Sequence, residues 1–177
     1  MEALIYQKIM NDPNISEMQK TKEIEYKQYI DNHKNKVIET WEELKNNKII
    51  YEYILSQSQS EEIVKIIDKN IPNHDNSKYG EEEWEPYRKR FYPINEEEKI
   101  SSKKEFTKSW QHHKKNNTHH HEHWEEINQN ENMPLSDVVE KEFICLCRKF
   151  PRRQRNNFGS LRRYINRQRG RLQPQIL

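Results

Sequence analysis

The chain has 177 residues, of which 34% are charged and only 32% hydrophobic, with a mean hydropathy of −1.32. That allows one domain plus an extension; the hydrophobic fraction is low for an ordinary globular protein, but the apolar residues cluster in periodic segments that can still form a core. The net charge of +2 hides an asymmetry: residues 143–177 hold ten Lys and Arg and no Asp or Glu, leaving 21 basic against 29 acidic groups, a net of −8, in the first 142 residues.

No stretch approaches the roughly 18 consecutive apolar residues of a membrane helix. The first ten residues lack the basic start and apolar run of a signal peptide. Cys145 and Cys147 are the only cysteines, too few for a disulfide framework or a thiolate zinc site. A cytoplasmic location without membrane contact is the expectation.

Residues 17–31 suit a helix, with Ile24, Tyr26, Tyr29 and Ile30 as its apolar members. From His33 the spacing of Val37, Ile38, Trp41 and Leu44 predicts a helix through about Lys45. Ile49 to Leu55 is a third apolar run. Ser60 reads as an N-cap with Glu61 and Glu62 behind it. Ile63, Val64, Ile66 and Ile67 then form a stripe ending near Asn70, where Ile71-Pro72-Asn73 breaks the helix.

A loop carries His74-Asp75-Asn76-Ser77-Lys78. Glu81 to Phe91 is expected as a short helix with Trp84, Tyr87 and Phe91 on one face, Pro86 being tolerated in its first turn. Pro93 to Ser102 is expected as loop, and Phe106 to His113 as helix. Ser136 or Asp137 caps a last core helix through Val138, Val139, Phe143, Ile144, Leu146 and Cys147, stopped by Pro151. With no strand pattern, the expected fold is all-α, an irregular helical bundle. It divides into a helical metal-binding domain over 1–147 and a basic extension over 148–177.

Six of the eight histidines lie between residues 112 and 123. In a continuous helix Trp110, His113, Asn117, His120 and Trp124 share one face. The two tryptophans would carry the polar groups between them inward, where buried imidazoles and an amide need partners. A metal ion supplies one partner, and an ordinary hydrogen-bonded histidine network is the other reading. A break at Asn116-Asn117 would change which imidazole points inward. His33 and the His74-Asp75 doublet add ligands from earlier elements.

These residues resemble two families. His33 with Val37, His74-Asp75-Asn76-Ser77-Lys78, Glu83-Trp84-Glu85-Pro86-Tyr87, and Trp110, His113, Asn117, His119, His120 and Trp124 are similar to the hallmarks of the domain of unknown function 5662, a family of phage and bacterial proteins. That resemblance implies a shared helical fold and admits a viral or phage origin, with host cytoplasm or virion as the location. More distantly, the order His, His-Asp, His, His-His resembles the HD-domain phosphohydrolases. This second resemblance implies a metal-dependent hydrolase of a nucleotide or phosphoester. Its ligands would be His33, His74, Asp75, His113 and one or both of His119 and His120, holding one or two divalent ions (manganese, iron or zinc). Asp75 would bridge and act at the catalytic centre, and Lys78 would contact a substrate phosphate. Asn117, Trp110 and Trp124 would support the ligands. Both families imply a late Asp where this chain has Leu146 or Ile144.

Arg152, Arg153, Arg155, Arg162, Arg163 and Arg167 share the basic extension with Phe150, Phe158 and Tyr164. Arginine forks suit phosphates and aromatic rings stack on bases, so nucleic acid is a candidate partner. Docking on the acidic body, or disorder, is the alternative. A non-catalytic, metal-stabilised module that binds nucleic acid through this tail is therefore the rival function.

Overall fold

A computed structural model describes residues 4–48, 51–52, 61–120 and 122–124. Among them are six α-helices and no strand: α1 (Leu4–Met10), α2 (Glu17–Asn46), α3 (Glu62–Asn70), α4 (Trp84–Phe91), α5 (Glu96–Ser101) and α6 (Lys103–Asn116). Two 3-10 turns, Ile71–Asn73 and Asn76–Tyr79, lie between α3 and α4. None of these helices is long and apolar enough to cross a membrane. The all-α expectation holds. The last core helix, both cysteines, the late-Asp positions, the boundary at 147 and the whole basic extension lie outside the described residues.

The described residues fall into two compact units, one within residues 4–35 and 72–124, the other within 36–71. In the first, α2 presents Glu23, Tyr26, Ile30 and His33 at spacings of three and four, so all four share one face. Tyr26 and Ile30 are buried with Tyr79, Trp84 and Tyr87, and Phe106, Trp110 and the α1 residues Ile5, Tyr6 and Ile9 pack against them. Trp84 is fully buried and donates its indole N–H to Glu23 Oε2 at 2.6 Å, so the aromatic body and its polar tip are both satisfied. His33 lies in the middle of α2, not at a helix start as the sequence suggested, and the apolar stripe that orders Tyr26 and Ile30 also turns it inward.

In the second unit Val37, Trp41, Leu44, Val64, Ile67 and Ile71 are buried. Asp68 accepts from the Trp41 indole and from Lys45 Nζ, each at 2.7 Å. Ile66, expected in the buried stripe, is 39% exposed; it points away from the face that Val64 and Ile67 share.

Two further expectations fail for local reasons. Residues 93–102 are not simply loop: Asn95 accepts from the Glu98 backbone N–H at 2.8 Å and caps α5. Glu96, Glu97 and Glu98 then occupy its first turn, where the helix dipole favours acids. On α4, Phe91 is 57% exposed while Arg88 is fully buried. Arg88 pairs with Glu23 at 2.9 Å and, through both terminal nitrogens, with Glu98 at 2.7 Å.

Candidate metal centre

The doublet sits on a tight turn. Asp75 has φ 56° and ψ 18°, the left-handed region, and is the one non-glycine described residue there. That conformation costs an ordinary residue about 1–2 kcal/mol, and Asp tolerates it better than most. The turn keeps consecutive residues His74 and Asp75 both buried. The following 3-10 turn is closed by the Lys78 N–H on the Asp75 carbonyl at 3.0 Å. Lys34 of α2 donates to the Asn76 side chain, and Tyr79 to Asp31, which fastens this turn against the helix that carries His33.

On the other side, α6 ends at Asn116. The Asn116 and Asn117 amides each donate to the carbonyl four residues back, His112 and His113, at 2.8 Å. These side chains add second donors to carbonyls of the last turns, and the chain leaves the helix at Asn117, whose backbone is extended. The continuous face from Trp110 to Trp124 is therefore interrupted, and the turn that follows brings both His119 and His120 toward Asp75.

Six side chains converge. His33 Nε2, His74 Nε2 and Asp75 Oδ2 form a triangle with sides of 3.0, 3.4 and 3.5 Å. Across the same carboxylate, Asp75 Oδ1 lies 3.4 Å from His113 Nε2 and 3.6 Å from His119 Nε2. His120 Nε2 is 3.0 Å from His113 Nε2. Ligand atoms bonded at 2.0–2.1 Å to one ion stand about 3.0–3.4 Å from their neighbours. The first triangle has a common centre about 1.9 Å from its corners, close to the usual metal–ligand bond length, so its three atoms fit a single ion. The four atoms of the second set also lie within 4.8 Å of one another. A shared proton would explain each short nitrogen pair, but not Asp75 Oδ1, which is buried with no hydrogen-bond partner among the described residues. The donor set fits one or two divalent ions, with Asp75 offering one oxygen to each group.

Protonation states suit ligation. Burial pushes His33, His119 and His120 below the ordinary imidazole value, His120 to about 3, with neighbouring imidazoles adding to the effect. Burial alone would raise the Asp75 carboxyl, but His74, the Lys78 ammonium and the hydrogen bond from His33 hold it well below the usual carboxylate range. At neutral pH these groups are three neutral imidazoles and one carboxylate, the forms that bind metal.

Glu83 completes the cluster and was missed as a site residue. Fully buried just before α4, it places Oε1 2.7 Å from His112 Nδ1 and Oε2 2.7 Å from His113 Nδ1. A proton on His113 Nδ1 leaves Nε2 with its lone pair toward Asp75, the arrangement of carboxylate–histidine–metal sites. Asn117 Nδ2 donates to Ser77 Oγ at 2.8 Å, tying the end of α6 to the doublet turn. Only the Glu83-Trp84-Glu85-Pro86-Tyr87 motif hinted at this residue, since its partners lie 29 and 30 positions away.

The other expected residues are placed as follows. Lys78 is buried, with Nζ 2.7 Å from Asp75 Oδ2. Trp110 stacks on His113 with centroids 5.7 Å apart and meets the His120 ring edge-on at 5.2 Å. Trp124 donates to the Thr118 carbonyl at 2.8 Å and so braces the turn rather than the ligands. Arg152, Arg153, Arg155, Arg162, Arg163 and Arg167 lie outside the described residues.

Fold and cluster together define an α-helical protein with a buried set of imidazoles around one carboxylate. The chain belongs to the family of unknown function DUF5662, whose model matches residues 22–172. That span contains every residue of the cluster. No curated protein and no solved structure gives a significant match.

Proposed function

We propose that this protein is a metal-dependent phosphohydrolase acting on a nucleotide or another phosphoester. The observation that carries the reading is the pair of ligand sets, His33/His74/Asp75 and Asp75/His113/His119/His120, that share one buried carboxylate. Their order along the chain resembles that of the HD-domain phosphohydrolases. Divalent ions at such a site supply acidified water and a clamp for phosphoryl oxygens. In this reading Asp75 and the imidazoles hold the ions, Glu83 fixes the His113 tautomer, and Lys78 is the nearby cation available to a phosphate. With imidazoles outnumbering carboxylates, manganese, iron or zinc suits the site better than magnesium.

The test is a panel of nucleotides and a generic phosphodiester, assayed with each metal on wild type and on Asp75→Ala. Metal-dependent turnover that Asp75→Ala abolishes is expected. Turnover no greater than that of the variant with every metal would overturn the reading.

The sequence of the C-terminal extension favours a second reading, a metal-stabilised module that binds nucleic acid without catalysis. Ten basic and no acidic residues in 143–177 support it, as does Leu146 or Ile144 in place of a late Asp. Deleting residues 148–177 should then abolish salt-sensitive binding to single-stranded DNA or RNA. Binding unchanged by the deletion would remove it.

A further inference from the structure

We propose that the two ion positions fill in order, and that Lys78 holds the second closed until a phosphate-like anion draws it away. The inference rests on the metal reading of this cluster and concerns the inequality of its two halves.

The two oxygens of Asp75 are in different states. Oδ1 is buried with no hydrogen-bond partner among the described residues and faces His113 and His119 at 3.4 and 3.6 Å. Three imidazoles converge there, one of them fixed by Glu83. Oδ2 faces His33 and His74 at 3.4 and 3.5 Å, but the Lys78 ammonium already lies 2.7 Å from it. Lys78 is only 7% exposed, so water screens its charge weakly.

An ion bonded to Oδ1 meets no such cation on its own oxygen. An ion bonded to Oδ2, with the usual bond length, would stand no more than about 4.8 Å from the ammonium. Like charges at that separation, away from water, oppose each other strongly. Binding there requires Lys78 to leave Asp75. An anion with several acceptor oxygens offers the ammonium a new partner and adds negative charge beside the incoming ion. Phosphate and the second ion therefore help each other bind, and by linkage the effect is reciprocal. The centre would be mononuclear at rest and dinuclear with substrate.

The experiment uses the full chain, purified without a histidine tag and stripped by chelator. It is titrated with Mn2+ with and without inorganic phosphate, following heat and the free-ion electron paramagnetic signal. Wild type should bind one ion tightly and a second at least tenfold more weakly, with phosphate raising the second affinity at least tenfold. Lys78→Met should tighten the second ion without phosphate and abolish the phosphate effect, whereas Lys78→Arg should keep it. His33→Ala should lose only the second ion, and His120→Ala should weaken the first. Two equal ions in wild type without phosphate would overturn the order of filling, as would loss of the first ion in His33→Ala. A phosphate effect that persists in folded Lys78→Met would remove Lys78 from the role. If Lys78→Met fails to fold, the wild-type phosphate titration and His33→Ala still decide. Wild type that binds no ion at all would end the metal reading itself, a result distinct from these.

Discussion

Glu83 Oε2 lies 2.7 Å from His113 Nδ1, and both side chains are buried. The contact turns a flexible tautomer into a fixed one, with Nε2 presented to Asp75. Removing such a partner from a metal ligand typically lowers affinity by about 10–100-fold. Glu83→Ala should therefore weaken the first metal by that factor. Glu83→Gln, which still offers a carbonyl oxygen, should lose less. Competition against a chelator of known affinity measures both. Equal affinity in wild type and Glu83→Ala would mean that His113 needs no support.

Asp75 serves both ligand sets and neutralises Lys78. Asn in its place keeps the shape and tolerates the left-handed backbone, but loses the charge. Asp75→Asn should lower metal affinity by more than the roughly 100-fold limit of an outer partner. It should also destabilise the metal-free protein by about 3–5 kcal/mol, because the Lys78 ammonium is left buried without its anion. The double variant Asp75→Asn/Lys78→Met should recover much of that stability and none of the metal. Chemical denaturation in chelator separates the two effects, and a double variant as unstable as the single one would show that Lys78 is not the source.

Much of this was legible in the chain. The apolar residues of 17–31 and the spacing of Val37, Trp41 and Leu44 announce the two halves of α2, but not that they form one helix with His33 in its middle. The doublet and the histidine run identify the cluster because metal ligands are few residue types in recognisable order. What was not legible depends on long-range partners. Glu83 looks like any surface acid until His112 and His113 return to it. Arg88 looks solvent-facing until Glu23 and Glu98 enclose it. The helix break after Asn116 was open in the sequence as one of two alternatives, and periodicity alone does not choose between them; the extended backbone at Asn117 does.

Acid should unfold the metal-free protein earlier than its carboxylates alone would dictate. Burial holds His119 and His120 below the ordinary imidazole value, His120 at about 3. As pH falls below about 6.5 the unfolded chain takes up these protons while the folded chain resists them. Stability is thus lost progressively between about 6.5 and 3. Asp75 works in the same direction at lower pH, since its depressed folded value makes its contribution disappear as pH falls through that value. Urea midpoints in chelator should drop between pH 7 and pH 5, and drop less in a His119→Gln/His120→Gln variant. Identical pH slopes for the two proteins would refute the assignment.

Arg88 links three elements of the same unit: Glu23 on α2, its own helix α4, and Glu98 on α5. The guanidinium is buried, and its two acids differ. Burial pushes the Glu23 carboxyl up despite the Trp84 indole and Arg88 beside it. Burial also works against Glu98, but the Arg88 fork and the Ile94 N–H outweigh it and hold that carboxyl down. Glu98 is therefore well solvated by its partners, while Glu23 depends on Arg88 more heavily because it has less water to fall back on. Arg88→Ala strands both acids and should cost the most, at or above the roughly 3–5 kcal/mol of a broken buried pair. Glu23→Ala should cost less than Arg88→Ala, since Arg88 keeps its bidentate contact with Glu98. Glu98→Ala should cost least, because it leaves the Glu23 pair intact and its own site is partly open to water. Urea denaturation of the three variants at pH 7 gives the order. A larger loss in Glu98→Ala than in Arg88→Ala would show that the bond from the Ile94 N–H to the Glu98 carboxylate, rather than the buried arginine, carries the stability of this corner.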